Sequence, residues 1–145
     1  MRASIIIPSW NARERLYLNL TALNNQDYPG DDVEIIVVDN GSNDRTMEML
    51  NDFKSRFPMR VIRLEENRGI ARGRNQGILE AQGDILIFHD SDMIAARDFV
   101  RKHIEAHEKE DGLVVCGLFW KRVFSYFYKR FSLEQMARFE QVTGS

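Results

Sequence analysis

Cysteine is almost absent from this 145-residue chain, and Cys116 stands alone. An internal disulfide is therefore excluded, and a lone thiol fits a reducing compartment. Proline is scarce as well. Its three residues, Pro8, Pro29 and Pro58, sit at the edges of apolar or periodic segments. No apolar run is long enough to span a bilayer. Met1-Arg2-Ala3 leads directly into a strand-like run, with no core of a signal peptide. Charge imbalance is missing too: 20 basic against 22 acidic residues leave a net charge of −2. That removes the basic footprint of a nucleic-acid-binding domain, so no nucleic-acid partner is expected. Asn19 and Asn40 each open an N-x-S/T triplet, read as coincidence. No internal repeat or low-complexity segment occurs.

What remains is an ordinary globular composition, 43% hydrophobic, at the length of one domain. Ser4-Ile5-Ile6-Ile7, stopped by Pro8, reads as a buried strand. Asn11 to Asn25 carries apolar residues at 12, 16, 20 and 23, a helical stripe. Asp27 to Asp31 is a turn. Glu34 to Val38 reads as a second buried strand. A helix face follows at Met47, Leu50, Phe53 and Phe57, with Ser42 or Asn43 as its N-cap and Pro58 beyond its end. Arg60 to Leu64 alternates as a third strand. Gly69 to Gln82 reads as a helix with Ile70, Ile78 and Ala81 inward and Gly83 at its C-terminal cap. Asp84 to His89 is a fourth strand. Ala95 to Glu110 is an amphipathic helix burying Phe99, Val100 and Ile104, closed by Gly112. Leu113 to Leu118 reads as a fifth strand. Alternating strands and helices imply an α/β fold, a mostly parallel sheet with helices on both faces.

Open sheets of this kind bind ligands outside the carboxyl ends of their strands. The polar clusters fall there. Strand one delivers Pro8-Ser9-Trp10-Asn11, strand two Asp39-Asn40-Gly41-Ser42, and strand four Asp90-Ser91-Asp92. Asp and Asn also favour turns and caps on their own account. Two carboxylates one residue apart are different, because they repel unless a cation or donors compensate. Mn²⁺ or Mg²⁺ meets that need. Such an ion is held by one or two carboxylates, with phosphates and waters completing its shell. The pattern therefore anticipates a phosphate-bearing ligand beside Asp92. His103 and His107, four apart on one helix, have no third ligand nearby and read as a solvated face. His89 is expected to face a neighbouring element.

The segments "SIIIPSWN", "EIIVVDNGSNDRT" and "NRGIARGRNQGILEAQGDILIFHDSD", in order and at this spacing, resemble the nucleotide-binding half of the family 2 glycosyltransferases. The resemblance covers residues 3 to about 118. It implies a Rossmann-like GT-A domain over 1–118, with 119–145 opening an acceptor-side region. It implies an inverting, metal-dependent transfer from a nucleotide-diphosphate sugar, UDP-sugar favoured, to a saccharide or lipid-linked acceptor, at the cytoplasmic side of a cell-envelope pathway. Under the same resemblance Asp39 accepts a hydrogen bond from the base. Pro8, Trp10 and Asn11 line the donor pocket. Asp90 and Asp92 form the D-x-D pair, with Asp92 on the metal, and Arg74 lies near the nucleotide. The family's general base lies well beyond the D-x-D, and no matching acidic pair follows Gly112. Glu134 and Glu140 lack that context, so a truncated chain is expected, and a non-catalytic nucleotide-sugar-binding fragment is the alternative. A D-x-D phosphatase is a more distant one. There the motif follows the first strand, and here it follows the fourth. Phe119 to Phe131, aromatic and basic, reads as packing for an acceptor-side half. Peripheral membrane contact or self-association are its other readings.

Overall fold

The computed structural model describes residues 2–110 and 112–117. The elements below belong to a compact unit that ends at Leu113. They follow in the order β1 (Ala3–Ser9), α1 (Arg13–Asn24), β2 (Val33–Asp39), α2 (Thr46–Asp52), β3 (Met59–Arg63), α3 (Ile70–Glu80), β4 (Ile85–Phe88) and α4 (Phe99–Lys109). The four strands form one parallel sheet in the order β3-β2-β1-β4. Ile5 of β1 lies opposite Ile35 of β2 and Ile87 of β4, and Val37 lies opposite Val61 of β3.

The continuous apolar runs of β1 and β2 are explained by burial on both faces. Side chains alternate across a strand. Ile5, Ile7, Ile35, Val37, Ile85 and Ile87 point to the face covered by Leu16, Leu20 and Leu23 of α1 and by Val100 and Ile104 of α4. Each such side chain contributes about 1.5–3 kcal/mol of hydrophobic stabilisation. On the other face α3 lies against β1. It approaches so closely that a Cβ at Gly77 would stand 2.3 Å from Cγ2 of Ile6. Glycine is the residue that permits this approach.

Several expectations are corrected here. The inward residues of α3 are Gly73 and Gly77, whereas Ile70 and Ile78 are exposed. A backbone pressed against the sheet leaves no room for larger inward side chains, which emerge at the flanks. Gly83 does not cap α3, because Ala81 is already extended. Gly83 is needed because a Cβ there would lie 2.6 Å from the Ser4 nitrogen. The helix α2 starts later than its motif suggests. Asp44, not Ser42 or Asn43, accepts from the Thr46 N–H at 3.2 Å. Ser42 is instead tied to β1 and β2. Gly112 takes a left-handed φ of 72° but does not cap α4, because Glu110 is already extended. Leu113–Gly117 forms no strand, and Val114 is 93% exposed. A β-prone run without a neighbouring strand makes no ladder. Leu118 lies outside the described residues.

Candidate functional site

In this sheet the chain winds from β1 to β2 to β3 in one direction, then crosses back to place β4 on the other side of β1. The strand order thus reverses between β1 and β4. A crevice opens outside the carboxyl ends of strands at such a point. Ser9 closes β1 opposite Asp39, which closes β2. On the other side of β1, the His89 N–H donates to the Ile6 carbonyl at 3.0 Å, and Asp90 follows directly. Pro8, Asp39 and Asp90 are therefore delivered to one sheet edge by three adjacent strands.

The two carboxylates of the D-x-D sequence have different surroundings. Arg74 of α3 donates to Asp90 Oδ1 at 2.8 Å, and its guanidinium also lies 5.9 Å from the Phe88 ring centre. Gly73, pressed against Pro8 and Asn40, fixes the helix height that allows Arg74 this reach. Asp92 keeps 57% of its side chain exposed, and Arg15 of α1 stands 3.9 Å away. The backbone between them is a turn, with the Met93 N–H donating to the Asp90 carbonyl at 3.0 Å. Asn19, fully buried in α1, donates to the carbonyls of Asp90 and Met93, each at 2.9 Å. His89 is buried against Phe99, with ring centres 5.0 Å apart. Burial lowers its pKa to about 4, although Asp90 pulls the other way, so the imidazole is neutral at pH 7. His103 packs edge-on against Phe99. Its pKa is lowered by burial and by His107.

On the β2 side, Asp39 is fully buried. Both its carboxylate oxygens face the Ser42 N–H at 3.3 Å, and Arg63 of β3 stands 3.9 Å away. Ser42 Oγ accepts from the Asn11 N–H at 2.9 Å, and Asn11 Oδ1 accepts from the Asn43 N–H at 2.9 Å. Asn11 adopts a left-handed φ of 46°, which asparagine tolerates better than most residues. Its side chain thus joins the ends of β1 and β2. Trp10, beside it, is 51% exposed. It presents an aromatic surface to solvent at the same edge.

Among the described residues no group of three or more His, Cys, Asp or Glu side chains converges as a metal cage. The donor set at the turn is two aspartates, one open and one half-engaged by Arg74. That suits a hard cation that takes one or two carboxylates from protein and the rest of its shell from phosphate and water. Arg15 and Asn19 were missed by sequence reading. Polar residues inside a helical stripe look solvated, and only their spacing of four hinted at one shared face. Both N-x-S/T asparagines, Asn19 and Asn40, are buried, which agrees with reading the triplets as coincidence. Glu134, Glu140 and the Phe119–Phe131 segment lie outside the described residues.

Comparison with known proteins places this chain in a wider group. The model of the family described as glycosyl transferase family 2 matches residues 4–143. The chain is 56% identical over 144 residues to the uncharacterized glycosyltransferase YfnE of Bacillus subtilis (strain 168), covering 99% of this chain and 36% of that protein. A crystal structure of S. aureus TarS 1–349 in complex with UDP-GlcNAc superposes with a TM-score of 0.71 at 25% identity, over 81% of this chain and 37% of that one. The mannosyltransferase PcManGT from Pyrobaculum calidifontis, in complex with GDP-Man and Mn²⁺, gives 0.67 at 27% identity, over 73% and 32%. This chain spans about a third of the length of these proteins.

Proposed function

The chain belongs to glycosyl transferase family 2, and on that premise we propose that its strand-end crevice binds a nucleotide-diphosphate sugar together with Mn²⁺ or Mg²⁺. The protein of which it is part would transfer that sugar, with inversion, to a saccharide or lipid-linked acceptor. One observation carries the reading: Arg74 engages Asp90, while Asp92 two residues further on stays open at the point where the strand order reverses. An aspartate left exposed, with Arg15 3.9 Å away and Arg74 on the neighbouring Asp90, is suited to share a cation with an anionic ligand.

The roles divide by position. Asp92 would hold the metal, with Asp90 beside it. When bound, the cation would neutralise charge developing on the departing diphosphate. Arg74 and Arg15 offer guanidinium donors matched to phosphate oxygens. Trp10 offers a face on which a base can stack. Asp39 would accept from a base N–H once the exposed Arg63 side chain moves aside. A uracil presents such an N–H, and TarS, with UDP-GlcNAc bound, supports UDP over GDP. PcManGT, with GDP-Man bound, keeps guanine as the competing base. Residues of this chain would then work at the cytoplasmic side, where sugar nucleotides are made.

The test is a thermal-shift series with UDP and GDP in Mn²⁺ and in EDTA. A ligand that binds the native state raises its apparent stability by mass action. UDP should raise the midpoint in Mn²⁺ and much less in EDTA. Asp92→Ala should abolish the difference. Equal stabilisation with and without metal overturns the reading.

A further inference from the structure

Polar side chains of α1 and of the residues just beyond it touch the β4–α4 connection at three places. Arg15 stands 3.9 Å from Asp92. One turn later, Asn19 donates to the carbonyls of Asp90 and Met93. Just past the end of α1, Gln26 donates to the Ala96 carbonyl at 2.7 Å and accepts from the Val100 N–H at 2.9 Å. A spacing of four keeps Arg15 and Asn19 on one helical face. Leu16, Leu20 and Leu23 anchor the same helix in the core. The helix is thus a fixed template, and the connection holding the D-x-D turn is pinned to it at Asn19 and to the chain just beyond it at Gln26.

Asn19 is the decisive contact. It is fully buried, and its Oδ1 has no partner among the described residues. Its Nδ2 carries two hydrogens and meets two carbonyl oxygens, one on each side of Ser91 and Asp92. The reversed amide would set Oδ1 against both carbonyls, so the orientation is fixed by repulsion as well as by bonding. A turn held at both ends by one rigid amide has little freedom to move its carboxylates.

We propose that Asn19 is a positioning residue that sets the Asp90–Asp92 carboxylates for metal and diphosphate; this rests on the donor-site reading above. Groups that orient metal-binding carboxylates without touching the metal are commonly worth 10- to 100-fold in metal affinity. Arg15 and Asn19 together would make α1 a wall of the donor site, although its sequence reads as a plain packing helix.

The test compares the wild-type chain with Asn19→Asp, which keeps the shape and loses both donors, and Asn19→Ser, which keeps one donor. Val33→Ala, a core truncation at the opposite end of β2, controls for lost stability. Two quantities are measured: Mn²⁺–UDP affinity by calorimetry, and hydrogen exchange at the Met93 amide, which donates to Asp90. Asn19→Asp should weaken Mn²⁺–UDP on the order of 10- to 100-fold and speed Met93 exchange. Asn19→Ser should fall between. Val33→Ala should bind as wild type. Asn19 variants that keep wild-type affinity overturn the proposal, whatever their stability. Failure of the donor reading looks different. The wild-type chain would then bind no Mn²⁺–UDP, while Met93 exchange still answered to Asn19, and Asn19 would stand as the residue that holds the turn.

Discussion

Arg74 and Asp90, sixteen residues apart, are joined by a hydrogen bond of 2.8 Å at the carboxyl edge of the sheet. Both side chains are 38% exposed, so the pair is a weak stabiliser of the fold, worth up to about 1 kcal/mol. Its value lies in aim. The pairing holds a guanidinium fork on Asp90, at the turn that carries Asp92, before any ligand arrives.

Arg74→Ala should therefore shift the thermal midpoint little and weaken Mn²⁺–UDP by roughly 1–3 kcal/mol, the scale of a hydrogen bond to a charged group. Arg74→Lys should recover part of that loss, since lysine keeps the charge and loses the fork. Calorimetry beside thermal denaturation separates the two effects. A large fall in stability with unchanged nucleotide affinity would make Arg74 structural.

Asp39 has two tasks in this reading. It accepts from the Ser42 N–H, and it would accept from a base. Asp39→Asn keeps an acceptor for Ser42 and removes the charge. It should weaken UDP by about 1–3 kcal/mol and leave Mn²⁺ affinity nearly unchanged. Asp39→Ala should weaken UDP similarly and also lower stability, because the Ser42 N–H loses its partner. Calorimetric titration of each variant with UDP and with Mn²⁺ checks this. Unaltered UDP affinity in Asp39→Asn would leave Asp39 as a turn residue only.

The parts legible in the sequence were those whose signal is local. Ser4–Ile7 and Glu34–Val38 announce buried strands by composition alone, and Asp90-Ser91-Asp92 announces itself by repulsion. The parts that were not legible depend on partners far along the chain. Gly73 and Gly77 read as neutral positions until Pro8 and Ile6 are seen beneath them. Asn19 reads as a surface residue until the turn seventy residues later folds over it. Leu113–Gly117 shows the converse. Its composition favours a strand, but a strand exists only where a ladder receives it.

Close packing of α3 on β1 gives a third prediction. Alanine is the better helix former by about 1 kcal/mol, yet Gly77→Ala should destabilise. Its Cβ would press on Ile6, and overpacking of this kind typically costs about 1–3 kcal/mol. Ile6→Ala opens the space at a cost of its own. The double variant should lose less than the sum of the two single losses, because the residues share one contact. Urea denaturation of all four proteins measures the coupling. Strict additivity would mean that the helix moves away freely.

Glu34 sets the last prediction. It is buried at the amino-terminal end of the sheet, opposite the proposed site. Oε1 accepts from Ser4 Oγ at 2.6 Å and from the Gln82 N–H at 2.8 Å, and Oε2 accepts from Arg60 at 2.8 Å. The Gly83 N–H in turn donates to Ser4 Oγ at 2.8 Å. One carboxylate thus ties the α3–β4 connection to β1, β2 and β3. Burial alone would raise its pKa, but the bonds from Ser4, Gln82 and Arg60 outweigh burial and hold it below the ordinary 4.5. The unfolded chain therefore binds a proton at higher pH than the folded one. The stabilising contribution is fully present above about pH 4.5 and is lost as pH falls through the lowered folded value. Glu34→Gln should be less stable than wild type at pH 7, and the gap should narrow in acid. Glu34→Ala, which leaves Ser4 and the Gln82 N–H without an acceptor, should cost about 3 kcal/mol at pH 7. Thermal midpoints taken from pH 7 down to pH 3 measure both. A wild-type curve running parallel to that of Glu34→Gln across this range would show that the fold does not lower the Glu34 pKa.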